Sequence, residues 1–226
     1  MSKLSPTEYD AWYETPLGSL CDRLEKEAIF ALFKPKGIVL DVGCGTGNYS
    51  LELAQQGIKV IGIDSSFDMT AFAKMKAETL GLHLNFIVGN VEAMPFKNDV
   101  FDGALSITIL CFASNTEMTV DEIKRVVKPE GDVVLGELNK LSYWAALRRV
   151  KALFKKSSYR RASFFSSRKL KRLLEEAEFK DLKWSSCIYF PPINLKWFLK
   201  GYSFFESAGK ILFPRNGAFV VTVGRK

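Results

Sequence analysis

The stretch Val39-Leu40-Asp41-Val42-Gly43-Cys44-Gly45-Thr46-Gly47 decides the fold. A short apolar, β-branched run ends in an acid and is followed by glycine at every second position. That pattern reads as a strand leaving its sheet through a tight turn into a helix. Glycines at 43, 45 and 47 let the turn close and let a ligand approach the main chain with no Cβ atoms between. The spacing is G-x-G-x-G and departs from the G-x-G-x-x-G of dinucleotide binders.

Working outward, strands are predicted over 38–42, 59–63, 84–88, 101–110 and 132–138. Helices are predicted over 49–56, 67–80 and 118–127, the last stopped by Pro129-Glu130-Gly131. Strands alternating with helices of this length mean βαβ units and a parallel sheet, and uniformly apolar strands fit a sheet covered on both faces. The fold class is therefore α/β, a Rossmann-like doubly wound sheet. The alternation breaks after Leu138, resumes with a helix over 167–177 and a strand over 182–190, and breaks again over 191–214. It closes with a strand over 218–223. Upstream, Tyr9, Trp12 and Tyr13 share one helical face, Thr15-Pro16-Leu17-Gly18 is expected to interrupt the helix, and helical periodicity returns over 19–33.

Composition narrows the class. With 226 residues and 47% hydrophobic content there is material for one core, and disorder is excluded. The longest apolar run, 104–113, is about half of what a bilayer span requires. No leader-like apolar stretch opens the chain, so a cytoplasmic protein is expected. Cys21, Cys44, Cys111 and Cys187 form no C-x-x-C pair and are expected to be free buried thiols. His83 is the one histidine, which removes histidine triads and His-rich metal sites, and no metal is expected. The net charge of +7 is local: residues 139–172 carry twelve Lys and Arg and no acid, leaving the remainder at −5.

Two further positions bear on the glycine turn. Asp64 ends the second strand 21 residues after Gly43, where a carboxylate can accept from both hydroxyls of a ribose. The plainer alternatives are a ligand-free turn and an Asp64 that caps the next helix. Asn90-Val91 after the third strand pairs a polar side chain, able to accept from an exocyclic amine, with an apolar one able to pack on the ring.

The motifs at 39–47, Gly62-Ile63-Asp64, Gly89-Asn90-Val91-Glu92, Phe101-Asp102-Gly103-Ala104-Leu105-Ser106 and 127–135 resemble, in this order, class I S-adenosylmethionine-dependent methyltransferases. The resemblance is strong over 37–138 and topological elsewhere. It implies seven strands, mostly parallel with the last antiparallel, helices on both faces, and two insertions forming a cap. It implies S-adenosyl-L-methionine as cofactor, S-adenosyl-L-homocysteine as product, and a transferase. Carried over, Asp41 with the backbone of Gly43, Cys44 and Gly45 holds the methionine end. Asp64 holds the ribose with Ser65 and Met69 beside the adenosine, Asn90 and Val91 read adenine, and Ser106 and Ile107 flank the sulfonium. Tyr13, Gly47, Asn48 and Glu92 complete the expected cofactor set. An acid is usual at the place of Asn90, so adenine recognition is expected to be weaker or differently oriented.

The expected organisation is a single domain: a helical arm or lid over 1–36, the cofactor core over 37–138, a basic insertion over 139–165, and the rest of the sheet over 166–226 with an aromatic insertion at 191–214. Tyr9, Tyr13 and Glu137 are candidates for a general base, with Asp10 and Cys111 also in reach, although a structural role is the plainer reading of each. Trp12, Cys111 and Trp144 are candidates for contact with the acceptor. Over 142–156, Tyr143, Trp144, Leu147, Val150 and Phe154 are expected on one helical side, with the cations largely elsewhere. Such a helix reads as membrane-surface contact or a lid over an anionic substrate. The favoured acceptor is a small apolar or anionic molecule, its pocket shaped by the aromatic insertion. The alternative is an RNA-associated protein, methyltransferase or non-catalytic, whose cations follow phosphates. The absence of an Asn-Pro-Pro-Tyr motif and of a recognisable RNA module argues against nucleic acid.

Overall fold

A computed structural model describes residues 5–154 and 164–226. The side chains of 150–154 and all of 155–163 lie outside the described residues, and with them Val150, Phe154 and the cations of that stretch.

Seven strands form one sheet in the order β3-β2-β1-β4-β5-β7-β6. They are β1 (Ile38–Val42), β2 (Lys59–Asp64), β3 (Asn85–Val88), β4 (Phe101–Ile107), β5 (Val127–Leu138), β6 (Lys180–Cys187) and β7 (Phe219–Arg225). β1 to β5 pair in parallel and β7 runs antiparallel to both its neighbours. The helices are α1 (Pro6–Glu14), α2 (Pro16–Leu32), α3 (Asn48–Gln55), α4 (Phe67–Thr79), α5 (Thr116–Val126), α6 (Tyr143–Phe154), α7 (Ser167–Glu176), α8 (Lys196–Leu199) and α9 (Tyr202–Leu212).

The sheet's period of two divides the interior. Val39, Leu105, Val134 and Val221 face one way, onto α2 and α3, through Leu20, Leu24, Tyr49 and Leu53. Leu40, Ala104, Val133 and Val220 face the other way, onto α5 and α7, through Val120, Ile123, Leu170 and Leu174. The two-sided burial expected of apolar strands is present. All four cysteines are buried and free, and no helix among the described residues is long and apolar enough to cross a membrane.

Three expectations are corrected. Thr15-Pro16 does not separate the arm from the next helix by a loop. Thr15 ends α1 and caps α2, its Oγ1 accepting from Gly18 N–H at 2.9 Å, with Pro16 in the first helical turn, where its missing N–H is harmless. Tyr143 does not share the buried side of α6: it is exposed, while Trp144 and Ala145 point inward. The aromatic insertion is largely helical, as α8 and α9, and several of its rings face outward.

Candidate active site

The carboxyl ends of β1, β2 and β4 converge on the glycine turn. Gly43 and Cys44 N–H groups both donate to Ile63 O, at 2.7 and 3.0 Å, hooking the turn onto β2. Gly43 takes φ +72°, and a Cβ there would collide with Ile109 from the loop after β4. Gly45 takes φ +52° with no atom within 4 Å of where a Cβ would stand. The first glycine is required by packing, whereas the second leaves open space beside the backbone.

Asp64 grips this turn: Oδ2 accepts from Gly45 N–H at 2.9 Å and Oδ1 from Ser66 N–H at 2.8 Å. The helix-capping alternative is met by Ser66, whose hydroxyl accepts from Met69 N–H. A carboxylate has about four acceptor positions, so two remain for a ribose diol. Ser65 is exposed and Met69 half-buried at the start of α4. The Cys44 thiol turns toward Gly62, so this residue faces the turn with its backbone. Asn48 sits at the start of α3 and donates to Asp22 at 2.7 Å. The Asn90 side-chain oxygen accepts from Glu92 N–H, and Glu92 accepts from Asn115 N–H at 2.8 Å. Both therefore shape the loop after β3, with Val91 buried beside them. Ser106 is buried with its hydroxyl unpartnered among the described residues, and beyond Ile107 the chain turns at Thr108, φ +54°. The open cradle at Gly45 and the spare acceptor positions of Asp64 fit an adenosyl group.

Asp41 lies behind the turn, fully buried. Burial pushes its carboxyl up to about 7, against the opposing hydrogen bond from Ser50 Oγ at 2.6 Å.

The arm is fastened over the turn. Asp10 accepts from Thr46 Oγ1 at 2.5 Å and pairs with Lys76 of α4, also at 2.5 Å. Asp10 is thus engaged in a latch and is no free base. Tyr9 and Tyr13 are joined through their hydroxyls at 3.1 Å, their rings edge to face. Burial, with Tyr9 beside it, raises the Tyr13 phenol, which remains protonated at any ordinary pH. Glu137 is wholly buried, accepts from Leu110 N–H at 2.7 Å, and is pushed up to about 8 by burial. It anchors the loop after β4 as a neutral acid. Cys111 is buried behind it, and burial raises its thiol. Trp144 is buried, its Nε1 donating to Phe190 O at 2.7 Å, while Trp12 is 42% exposed. Neither tryptophan is brought to the glycine turn by any of these contacts.

Sequence reasoning missed Glu25 and Tyr49. Glu25, half-buried by area but ringed by protein, has its carboxyl pushed up to about 8 by burial and the Asp22 charge, against Arg148, a Tyr49 hydrogen bond and Lys26. The signal was available: Glu25 follows Cys21 by four residues on the apolar stripe of α2, where a carboxyl is out of place.

A doubly wound sheet whose glycine turn and second-strand carboxylate meet at the strand tips defines a nucleoside-cofactor enzyme of Rossmann-like architecture. A family model for the methyltransferase domain matches residues 40–135. An uncharacterized protein of Methanocaldococcus jannaschii is 31% identical over 184 residues, covering 80% of this chain and 82% of that one. A solved structure from Thermotoga maritima, described as a SAM-dependent methyltransferase and possible histamine N-methyltransferase, matches with TM-score 0.75 and 26% identity over 97% of this chain and 95% of that one. Phosphoethanolamine N-methyltransferase 2 of Haemonchus contortus, solved with phosphomonomethylethanolamine and S-adenosylhomocysteine, matches in fold with TM-score 0.69 and 16% identity, over 100% of this chain and 58% of that one. The chain belongs to the class I S-adenosylmethionine-dependent methyltransferases. It is an enzyme, and S-adenosyl-L-methionine is its cofactor.

Proposed function

We propose that the chain methylates a small molecule, largely apolar with a hydrogen-bonding head, held between α1, α2 and the loop after β4. The observation that carries this reading is the cluster that Tyr9 and Tyr13 of the latched arm form with Tyr49 and Glu25: aromatic rings around a carboxyl that burial pushes up to about 8. Asp64, Ser65 and Met69 would hold the adenosine, Asn90 and Val91 the adenine, and the backbone of Gly43, Cys44 and Gly45 the methionine end. When bound, the cofactor supplies a methyl group on a positively charged sulfur.

The chain's own contribution is alignment. Positive charge disperses in such a transfer, so no oxyanion stabilisation is needed, and holding two partners in line supplies about 7–11 kcal/mol of the barrier. The arm excludes water from above the turn. Glu25, titrating near 8, can accept a hydrogen bond or a proton from an acceptor amine or hydroxyl. Two structural neighbours are named for small amines, which is the acceptor head this carboxyl suits best.

The RNA-associated alternative draws on residues 139–172. Among the described aromatics of that stretch Trp144 and Phe165 are buried and Phe164 is half-buried, which leaves Tyr143 as the one exposed ring, too little for a platform on which successive bases stack.

The test is transfer of labelled methyl from the cofactor to cell extract separated into small-molecule and RNA fractions. Label is expected in the small-molecule fraction, and Glu25→Gln is expected to lower its incorporation at least tenfold while S-adenosylhomocysteine binding persists. Label confined to RNA overturns the reading.

A further inference from the structure

The aromatic insertion presents a surface that the methyl-transfer site does not use. From residue 182 to the end of the chain Glu206 is the one acid. It is buried, with Oε1 accepting from Tyr189 N–H at 2.7 Å. Lys196, Lys200, Lys210 and Arg215 are all exposed. The neighbouring exposed carboxylate, Glu27 of α2, is paired with Arg23, whose guanidinium lies over the Tyr202 ring, so the solvent charge of α8 and α9 is cationic.

α9 is seated through Tyr202, Phe205, Glu206 and Gly209. A Cβ on Gly209 would collide with the Tyr189 ring, which shows how closely that side is packed. Helical geometry then turns Phe204 and Ile211 directly outward, and they are 73% and 80% exposed. Trp197 on α8 is 72% exposed. These outward groups are connected. Trp197 meets Phe198 at 6.1 Å between ring centroids, Phe198 meets Phe205 at 5.5 Å, and Phe205 meets Phe204 at 5.8 Å. Two half-buried rings root two exposed ones, and the exposed Leu212 and Phe213 extend the row. Large rings held outward at an energetic cost in water, rimmed by cations, mark a surface with a partner.

The basic segment joins the same face. Asn139 Nδ2 donates to Arg215 O and Gly217 O, both at 2.7 Å, and Asn216 Nδ2 donates to Leu141 O at 3.0 Å. These bonds bring the exposed Leu141 and Tyr143 beside the end of α9, with Lys140 and Arg149 following.

We propose that this face docks the enzyme onto an anionic lipid bilayer, with α9 lying in the interface. Aromatic tips reach the acyl boundary while Lys and Arg meet the headgroups, which is the composition of an interfacial amphipathic helix. At about 16 Å, α9 is too short to span and long enough to lie flat. A second copy of the chain would set the exposed lysines of one α8–α9 face against those of another, so charge favours lipid over self-association. The proposal stands apart from the choice of acceptor and fails or survives without it.

The test is co-sedimentation of the full chain with vesicles of phosphatidylcholine alone and with added phosphatidylglycerol. Binding to the anionic vesicles that weakens as salt rises is expected. Lys200→Gln with Lys210→Gln is expected to lower partition roughly thirtyfold. Trp197→Ser with Phe204→Ser is expected to abolish it while S-adenosylhomocysteine binding and far-ultraviolet dichroism stay at the parent's values. No binding to anionic vesicles, or binding that persists in the aromatic pair, overturns the proposal. So does a lipid-free dimer, seen by light scattering, that Phe204→Ser dissociates, which assigns the face to a second copy.

Discussion

Gly43 and Gly45 share a left-handed backbone but not a neighbourhood, and the difference separates folding from binding. An alanine at 43 meets Ile109 as well as the left-handed penalty, so Gly43→Ala is expected to destabilise the fold by about 2–4 kcal/mol in urea titrations. An alanine at 45 meets only the backbone penalty, about 1 kcal/mol. Its methyl, however, enters the cradle, and affinity for S-adenosylhomocysteine is expected to fall at least tenfold in calorimetry. Wild-type affinity in Gly45→Ala would show that no ligand passes beside that backbone. These glycines and Asp64 were legible in the sequence because backbone conformation and strand-tip placement leave residue-type signatures. For Glu25 only half was legible: its place on the apolar stripe of α2 marks it as odd, but its partners Tyr49 and Arg148 come from distant parts of the chain. The side-chain roles of Asn90 and Glu92, each spent on neighbouring backbone, were equally invisible from spacing.

At the scale of elements, the arm and the buried carboxyls make separate claims. α1 is held by Asp10, which bridges the turn through Thr46 and α4 through Lys76. Asp10→Ala removes both ties, and a part-buried, charge-assisted contact of this kind contributes about 1–3 kcal/mol. The expected outcome is faster proteolysis within the first fifteen residues and a raised KM for the cofactor, with kcat changing less. Unchanged cleavage would show that the arm is held by other contacts. Burial pushes the carboxyls of Asp41 on β1, Glu25 on α2 and Glu137 on β5 up to about 7, 8 and 8, all above their ordinary values. Between roughly pH 4.5 and 8 the folded chain therefore binds more protons than the unfolded one, so stability falls as pH rises through that window. Glu137→Gln keeps a neutral side chain at every pH. It is expected to match the parent near pH 5 and to exceed it at pH 9 by on the order of 1–3 kcal/mol, with methyl transfer intact. A hundredfold loss of kcat would return Glu137 to the role of base. Most element boundaries in the core came within a few residues of the sequence reading, because apolar runs and glycine breaks are local signals; β5 is the exception, starting at Val127 and running through the Pro129-Glu130-Gly131 expected to precede it. The Thr15-Pro16 junction misled because the same dipeptide ends one helix and opens the next. α8 and α9 went unread because Pro191, Pro192 and Pro214 and the dense aromatics between them mark an interruption, which masked the contrast between faces that α9 does carry.

For the whole molecule, one sheet with helices on both faces sets strand tips from three βαβ units around a single point, and the coupling between that point and global stability can be measured. The glycine turn hangs on β2 through Ile63, on Asp64 through Gly45 and on α1 through Thr46, so the folded chain holds the cradle formed and the unfolded chain has none. A ligand that binds only the folded form stabilises it by mass action, by about 2.7 kcal/mol at a hundred times its Kd. For a chain of this length that corresponds to a rise in Tm of roughly 5–10 °C. S-adenosylhomocysteine is expected to produce that rise in the parent. Asp64→Ala is expected to lose most of it while its ligand-free Tm moves only a few degrees, because the mutated carboxylate is half-exposed and the strands beneath it remain paired. Equal ligand-induced shifts in parent and variant would mean that the cofactor binds away from the strand tips, and the residue assignments around them would then fail together.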